Sequence, residues 1–146
     1  MEWTLPGTVL QIPQKDAAQI QQVFSSLFLG GGIVLSQVSG ITGLEPYTVQ
    51  NWVKRGFLTK PVAKKYTLRQ LCRIIIINML KDALAMEQIC GLMSHINGHL
   101  DDESDDIIDD SKLYFMFVEL AMQARELSSE SAREKALADL VRMARE

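Results

Sequence analysis

The chain has 146 residues, of which 47% are apolar and 23% charged, proportions that are ordinary for a globular protein and that exclude a wholly disordered chain. Its apolar runs, such as Ile74 to Ile77, are far shorter than the roughly 20 residues that a membrane-spanning helix needs. No basic region followed by an apolar one opens the chain, so we expect no secretory signal and a cytoplasmic location. Cys72 and Cys90 lie in apolar helical patterns, which favours two buried, reduced thiols.

The formal net charge of -3 hides two segments of opposite charge. Between Lys54 and Lys81 there are eight Lys or Arg and no Asp or Glu, whereas seven of the ten residues from Asp101 to Asp110 are acidic. A concentrated basic segment is typical of a surface that contacts nucleic acid. The acidic segment is interpreted as a solvated loop. A second hypothesis is that it contacts the basic face, within the chain or in a dimer, and competes with DNA.

The first dozen residues carry Pro6, Gly7 and Pro13 and are interpreted as an irregular arm. From Asp16, a candidate N-cap, apolar residues recur three and four positions apart, which predicts an amphipathic helix that ends at the glycines 30–32. The apolar positions of this helix are Ala17, Ile20, Val23, Phe24, Leu27 and Phe28. No Lys follows the glycines in the spacing of a phosphate-binding loop, so they are interpreted as a turn or hinge.

Two short helices joined by a short turn are predicted next, which is the helix-turn-helix motif. Ser36 is a candidate cap for the first helix, and Gly43 fits its end. Pro46 occupies the favoured first position of the second helix, which runs to about Arg55 before Gly56. The inward face of this second helix is Val49, Trp52 and Val53, and its outward face is Tyr47, Thr48, Gln50, Asn51, Lys54 and Arg55.

The segment from Phe57 to Lys65 contains Pro61 and has no helical period. Thr67 and Gln70 match a capping box that opens a long helix through Leu80. Another helix spans about Met86 to Ile96, with Ala85 as a poor cap.

Two apolar stripes at helical spacing, separated by Ser128 and Ser129, predict two C-terminal helices. The first stripe contains Leu113, Phe117, Leu120, Ala124 and Leu127, whose 4-3-4-3 spacing suits a coiled-coil seam in a homodimer. Packing of this helix back onto its own domain is the alternative.

The outward face of the second short helix suits DNA, because Thr48, Gln50 and Asn51 are candidates to read bases. Lys54 and Arg55 at its end, and the loop residues Lys60, Lys64 and Lys65, suit phosphates. Arg69 and Arg73, four positions apart, are expected to extend this basic stripe along the next helix. Basic faces are also ordinary solvated surface, and the motif occurs in proteins that bind no DNA. A protein-interaction module therefore remains the alternative.

The run from Leu35 to Leu58, LSQVSGITGLEPYTVQNWVKRGFL, resembles the head of a MerR-type regulator. A longer run, from Gly31 to Asp110, resembles more closely a bacterial family that carries a domain of unknown function and whose members are presumed regulators. The MerR resemblance implies a winged helix-turn-helix, homodimerisation through C-terminal helices, and DNA contact by the helix Pro46 to Arg55 and the wing Lys60 to Tyr66. The chain departs from that pattern, since Gln50 and Asn51 replace the usual Arg-Tyr pair, the wing is shorter and its Arg is replaced by Lys64 or Lys65.

A metal site at His95 and His99, which precede Asp101, Asp102 and Glu103, is the less favoured interpretation. We expect Gly98 to end the helix between the two histidines. No Cys lies near them, and the acidic segment lacks the central Gly of a calcium loop. No sequence motif of an enzyme active site is found, so neither an enzyme nor a bound metal or cofactor is expected.

The sequence therefore predicts an all-α fold with a MerR-like winged helix-turn-helix head and additional N- and C-terminal helices. Residues 1–32 form an N-terminal arm and helix, 33–100 the head, and 101–146 an acidic loop with helices for dimerisation or partner binding, together one compact unit. The predicted function is a sequence-specific transcriptional regulator that binds double-stranded DNA as a homodimer, with any small-molecule or protein effector unidentified. The expected DNA contacts are Tyr47, Thr48, Gln50, Asn51, Lys54, Arg55, Lys60, Lys64, Lys65, Tyr66, Arg69 and Arg73.

Overall fold

The computed structural model describes residues 2–13, 17–97, 110–127 and 130–145. These ranges are mostly helical and also contain two small antiparallel sheets. The helices are α1 (Ala17–Leu27), α2 (Leu35–Thr42), α3 (Pro46–Lys54), α4 (Leu68–Leu80), α5 (Met86–Asn97), α6 (Asp110–Leu127) and α7 (Glu130–Arg145). The strands are β1 (Glu2–Thr4), β2 (Gln11–Pro13), β3 (Ile33–Val34) and β4 (Lys65–Tyr66). Within the described ranges, no helix is both long and apolar enough to cross a membrane.

The prediction of an irregular N-terminal arm is wrong, because β1 and β2 pair as an antiparallel hairpin with Trp3 opposite Ile12. Gly7 in the connecting turn has a φ of +73°, and a Cβ there would lie 2.6 Å from Ile75 Cγ2. Only glycine satisfies both the left-handed backbone and this close approach to α4. Strands of three residues carry too little alternation to be read from sequence.

Hydrogen bonds join the hairpin to α2, α4 and α6. The Val9 N–H donates to the Ile41 carbonyl of α2 at 2.9 Å, and Asn78 Nδ2 of α4 donates to the Gly7 carbonyl at 3.0 Å. The Tyr114 hydroxyl of α6 donates to the Pro6 carbonyl at 2.6 Å. These bonds satisfy backbone carbonyls that the compact fold would otherwise desolvate.

The core is organised around α4, in which every residue from Leu71 to Ile77 is buried. A helix buried all round must be covered on several sides. α6 covers one side of it, and α1 in turn packs on α6. There the Phe24 ring stacks on Tyr114 at a centroid distance of 6.1 Å and meets Phe115 edge-on at 5.6 Å.

The predicted pair of short helices is confirmed as α2 and α3. Gly43 ends α2 with a φ of +76°, and Pro46 stands in the first turn of α3. Val38, Val49 and Trp52 are buried between the pair and the core. The prediction that Ser36 caps α2 is wrong. Val34 precedes the helix, and its N–H donates to Gln37 Oε1 at 2.9 Å.

The capping box at the start of α4 is confirmed. The Gln70 N–H donates to Thr67 Oγ1 at 3.1 Å, and the Thr67 N–H donates to Gln70 Oε1 at 2.8 Å. At the start of α5, Gln88 compensates for the poor cap, since its Oε1 accepts the Ala85 N–H at 2.9 Å.

α6 carries two apolar faces, one inward and one outward. Tyr114, Phe115 and Val118 are buried against the domain, whereas Phe117 and Leu120 of the predicted seam are exposed. Leu113 of the seam is half-buried and packs against the core, whereas Phe117 and Leu120 lie outside the face of α6 that packs onto the domain. Along α7, Leu137, Leu140, Val141 and Met143 are exposed as well.

Several residues of the sequence interpretation lie outside the described ranges. They are Asp16, Gly98, His99, Ser128, Ser129 and the acidic residues from Asp101 to Asp109. Asp110 is the one member of the acidic segment within the ranges, and it is buried.

Candidate nucleic-acid interface

The outer face of α3 presents polar side chains from a helix whose inner face is fixed in the core. Val49 is fully buried and Trp52 is 6% exposed, so the helix cannot rotate without leaving the core. Gln50, Asn51 and Lys54 are exposed, Thr48 is half-buried, and Tyr47 at the start is 70% exposed. The predicted inward and outward faces of α3 are confirmed, apart from Val53 and Thr48, which are both half-buried.

A tight turn lies at the tip of residues 57–66, which we call the basic loop. The Val62 N–H donates to the Lys65 carbonyl at 3.1 Å, and the Lys65 N–H donates to the Val62 carbonyl at 2.9 Å. The two residues between them, Ala63 and Lys64, have φ values of 51° and 64°. This left-handed backbone is usual for Gly or Asn and costs other residues roughly 1 kcal/mol each. The backbone of this turn is therefore strained, and interactions elsewhere in the fold must offset the cost.

The second arm of the basic loop is tied to the start of α2. β4 pairs with β3, with Val34 opposite Lys65 and Ile33 opposite Tyr66. A Cβ on Gly32, just before β3, would lie 2.9 Å from the Tyr66 carbonyl oxygen. This close approach explains why the last of the three glycines is required, and it fixes the loop beside α2.

A cleft of about 830 Å³ opens between α3, the start of α2 and the basic loop. Its lining residues are Val34, Leu35, Ser36, Gln50, Val53, Lys54, Lys60, Pro61, Lys64 and Tyr66. Three lysines from two elements thus border one concavity, together with the amide of Gln50. Converging cations with little opposing negative charge attract anions such as phosphates.

The sequence interpretation missed Val34, Leu35 and Ser36 as members of this cleft. They reach it because β3 pairs with β4, and strands of two residues leave no recognisable sequence pattern. Ser36 was expected to be a helix cap, and the structure places it on the cleft wall.

Arg55 and Lys65 are exposed but already make contacts within the chain. The Arg55 guanidinium lies over the Phe57 ring, 4.8 Å from its centroid, and 3.7 Å from Glu87 Oε1 of α5. Lys65 Nζ donates to the Gly30 carbonyl at 3.3 Å. Both side chains remain at the surface, where such contacts are weak and exchangeable.

The expectation that Arg73 extends an exposed basic stripe is wrong, and Tyr66, expected to contact DNA from the wing, is buried as well. Tyr66 is 3% exposed, and burial raises the pKa of its hydroxyl. Arg73 is 5% exposed and lies within the run from Leu71 to Ile77 of α4, in which every residue is buried. Arg69 is also mostly enclosed, with its side chain 20% exposed and its Nε 3.8 Å from Asp110 Oδ2. The carboxylate that pairs with both arginines is that of Asp110 in α6, which is distant from them in the sequence.

His95 is exposed on α5, and no group of three His, Cys, Asp or Glu side chains able to hold a metal ion occurs in the part of the chain that the structure describes. Cys72 is buried as predicted, whereas Cys90 is half-buried. Burial raises the pKa of the Cys90 thiol, and the neighbouring Arg73 guanidinium offsets part of the rise.

The model of the DUF1836 family, a domain of unknown function, matches residues 11–117, which is more than half of the chain and includes α1 to α5 and the first part of α6. No curated protein and no solved structure matches the chain. The chain belongs to the DUF1836 family.

Proposed function

We propose that this protein is a sequence-specific DNA-binding regulator in which α2, α3 and the basic loop act as a MerR-like winged helix-turn-helix. The observation that carries the proposal is the cleft that Lys54 of α3 shares with Lys60 and Lys64 of the basic loop, beside the exposed polar face of α3. A helix with an outward polar face and flanking cations suits the major groove of DNA.

The exposed face of α3 supplies the groups that distinguish bases. The amides of Gln50 and Asn51 each offer a donor and an acceptor, which match the N6 and N7 atoms of adenine. The hydroxyl of Thr48, half-buried one turn earlier, can donate a hydrogen bond to a base or accept one from it. Lys54, Lys60 and Lys64 then contact phosphates, which sets the position of the helix but carries no sequence information.

The protein is further proposed to bind DNA as a homodimer, through the exposed apolar faces of α6 and α7. Leu120 is 62% exposed and Leu140 64%, and exposed apolar surface of this kind marks interfaces between chains. The part of the seam at Phe117 and Leu120 stays exposed, because α6 packs onto its own domain chiefly through Tyr114, Phe115 and Val118. A twofold dimer binds two half-sites, so the operator is expected to be palindromic.

A protein-interaction module is the second candidate. The observation in its favour is the apolar part of the same cleft, where Val34, Leu35 and Pro61 accompany the three lysines. An apolar floor suits a peptide side chain better than it suits a phosphate.

The proposed function is tested by selecting bound sequences from a pool of random DNA duplexes with the purified protein. Enrichment of a palindromic site supports the regulator. A uniform pool after several rounds, with retained binding to protein partners, supports the interaction module. Gln50→Ala and Asn51→Ala should change the selected sequence, whereas the control Lys135→Ala on α7 should leave it unchanged.

A further inference from the structure

An ion pair between α4 and α6 lies behind the basic loop. Asp110, the first residue of α6, is 2% exposed. Its Oδ2 lies 3.7 Å from Arg73 Nη1 and 3.8 Å from Arg69 Nε. A buried guanidinium needs an anionic partner, because the cost of removing it from water is otherwise several kcal/mol. Asp110 is therefore what allows Arg73 to stay in the interior.

The Arg73 guanidinium also forms a hydrogen bond with Phe57, the first residue of the basic loop. Arg73 Nε donates to the Phe57 carbonyl at 2.9 Å. One turn earlier on α4, Gln70 Nε2 donates to Thr59 Oγ1 at 2.9 Å and to the Lys60 carbonyl at 3.0 Å. The side chains of Arg73 and Gln70 thus hold residues 57–60, the part of the basic loop that brings Lys60 to the cleft. Of these two side chains, Arg73 is paired with Asp110 of α6.

We propose that Asp110 is a positioning residue for the basic loop, and that through Arg73 it makes the placement of Lys60 and Lys64 depend on the docking of α6 against α4. Without the carboxylate, the Arg73 guanidinium moves toward water and releases the Phe57 carbonyl. The consequence for DNA rests on the proposed function, whereas the coupling between α6 and the loop does not. A displacement of α6, which also carries the exposed seam, then displaces the basic loop.

The first arm of the test measures backbone hydrogen exchange and needs no DNA. The Val62 and Lys65 amides, which bond across the turn, report on the loop, and the Gly43 amide, which bonds to Ser39 O, reports on α2. In Asp110→Asn we expect the two loop amides to exchange about tenfold faster while Gly43 is unchanged, since loss of one buried charge partner frees the other locally. Glu119→Gln, at an exposed carboxylate of the same helix, is the matched control and should change neither.

A second variant separates positioning from stability, in case Asp110→Asn unfolds. Arg73→Met with Asp110→Leu replaces the pair by apolar side chains, and such exchanges often keep or raise stability. We expect this double variant to unfold at the same or higher urea concentration as the unsubstituted chain, and yet to exchange its loop amides faster. Equal loop exchange in a stable double variant would overturn the proposal.

The second arm measures DNA affinity. In the unsubstituted chain Lys64→Ala should weaken binding, whereas in the double-variant background it should add little, because a displaced loop no longer brings Lys64 to a phosphate. Gln50→Ala on α3 is the control and should weaken binding equally in both backgrounds. Additive effects of Lys64→Ala would contradict the proposal. If the unsubstituted chain binds no DNA, the proposed function fails and the exchange measurement alone decides on the positioning.

Discussion

The Tyr114 hydroxyl donates a hydrogen bond to the Pro6 carbonyl at 2.6 Å, across 108 positions of the chain. Tyr114 is fully buried, and its ring also stacks on Phe24 of α1. One side chain of α6 therefore joins the N-terminal hairpin, the first helix and the C-terminal part in a single core.

Removing this hydroxyl should destabilise the protein. In Tyr114→Phe the Pro6 carbonyl loses its donor, and loss of a part-buried hydrogen bond of this kind costs about 0.5–1.5 kcal/mol. Urea unfolding followed by circular dichroism measures the loss, and Tyr47→Phe at the exposed aromatic of α3 should leave the midpoint unchanged. An unchanged midpoint in Tyr114→Phe would show that the bond contributes nothing.

Stability should fall in alkali. Burial, and to a smaller extent Cys72, raises the pKa of Tyr114 above its ordinary value of 10.0, and burial likewise raises those of Tyr66 and of Cys90, whose ordinary value is 9.0. The folded chain keeps these protons longer than the unfolded chain, so the stabilisation is complete below the unfolded values and is lost as pH rises above them.

Urea unfolding at pH 7.5 and at about pH 10.5 checks this dependence, because each group lowers the free energy of unfolding by about 1.4 kcal/mol per pH unit in its window. Tyr114→Phe should show a shallower loss than the unsubstituted chain. Equal stability at the two pH values would contradict the assignment.

The strained turn of the basic loop predicts a stabilising glycine. In Ala63→Gly the left-handed backbone at φ 51° is relieved, which should raise the free energy of unfolding by up to about 1 kcal/mol. Ala138→Gly within α7 is the matched control and should lower it by a similar amount, because glycine disfavours a helix interior. A loss of stability in both variants would show that the turn at residue 63 is not strained.

Much of the fold follows from the sequence because several signals are local. Gly43, Pro46 and the Thr67–Gln70 box mark helix ends by their own chemistry, and the structure confirms each of them. Arg73 and Tyr66 were misplaced because their burial is set by residues far along the chain, such as Asp110, or by a strand pairing of two residues. The cleft walls Val34 to Ser36 were missed for the same reason.

The exposed seam predicts a dimer that one substitution can break. Leu120→Glu places a charge on an exposed apolar face of α6, so it should shift the protein from dimer to monomer without lowering the stability of the fold. Gln123→Glu, at an exposed polar position of the same helix, is the control for added charge. Sedimentation velocity at several protein concentrations measures the change. A monomeric unsubstituted chain would refute the dimer.

The roles assigned to the cleft lysines and to the exposed face of α3 predict two different kinds of binding defect. Lys64→Ala should weaken binding to all DNA sequences by a similar factor, because a phosphate contact is independent of sequence. Asn51→Ala should instead alter the preference among sequences, by about 1–3 kcal/mol at one base pair. Competition binding with a selected duplex and its single-base variants distinguishes the two. If Asn51→Ala behaves like Lys64→Ala, Asn51 does not read a base.

The most direct measurement is the affinity of the purified protein for a duplex at a series of salt concentrations, compared with a variant in which Lys54, Lys60 and Lys64 are replaced by Ala. Phosphate contacts release counterions, and each contributes about 0.9 to the slope of log affinity against log salt. We expect a steep slope for the unsubstituted chain and a slope shallower by about 2 to 3 for the variant. Absence of binding at low salt, or equal slopes for the two proteins, would contradict DNA binding through these lysines.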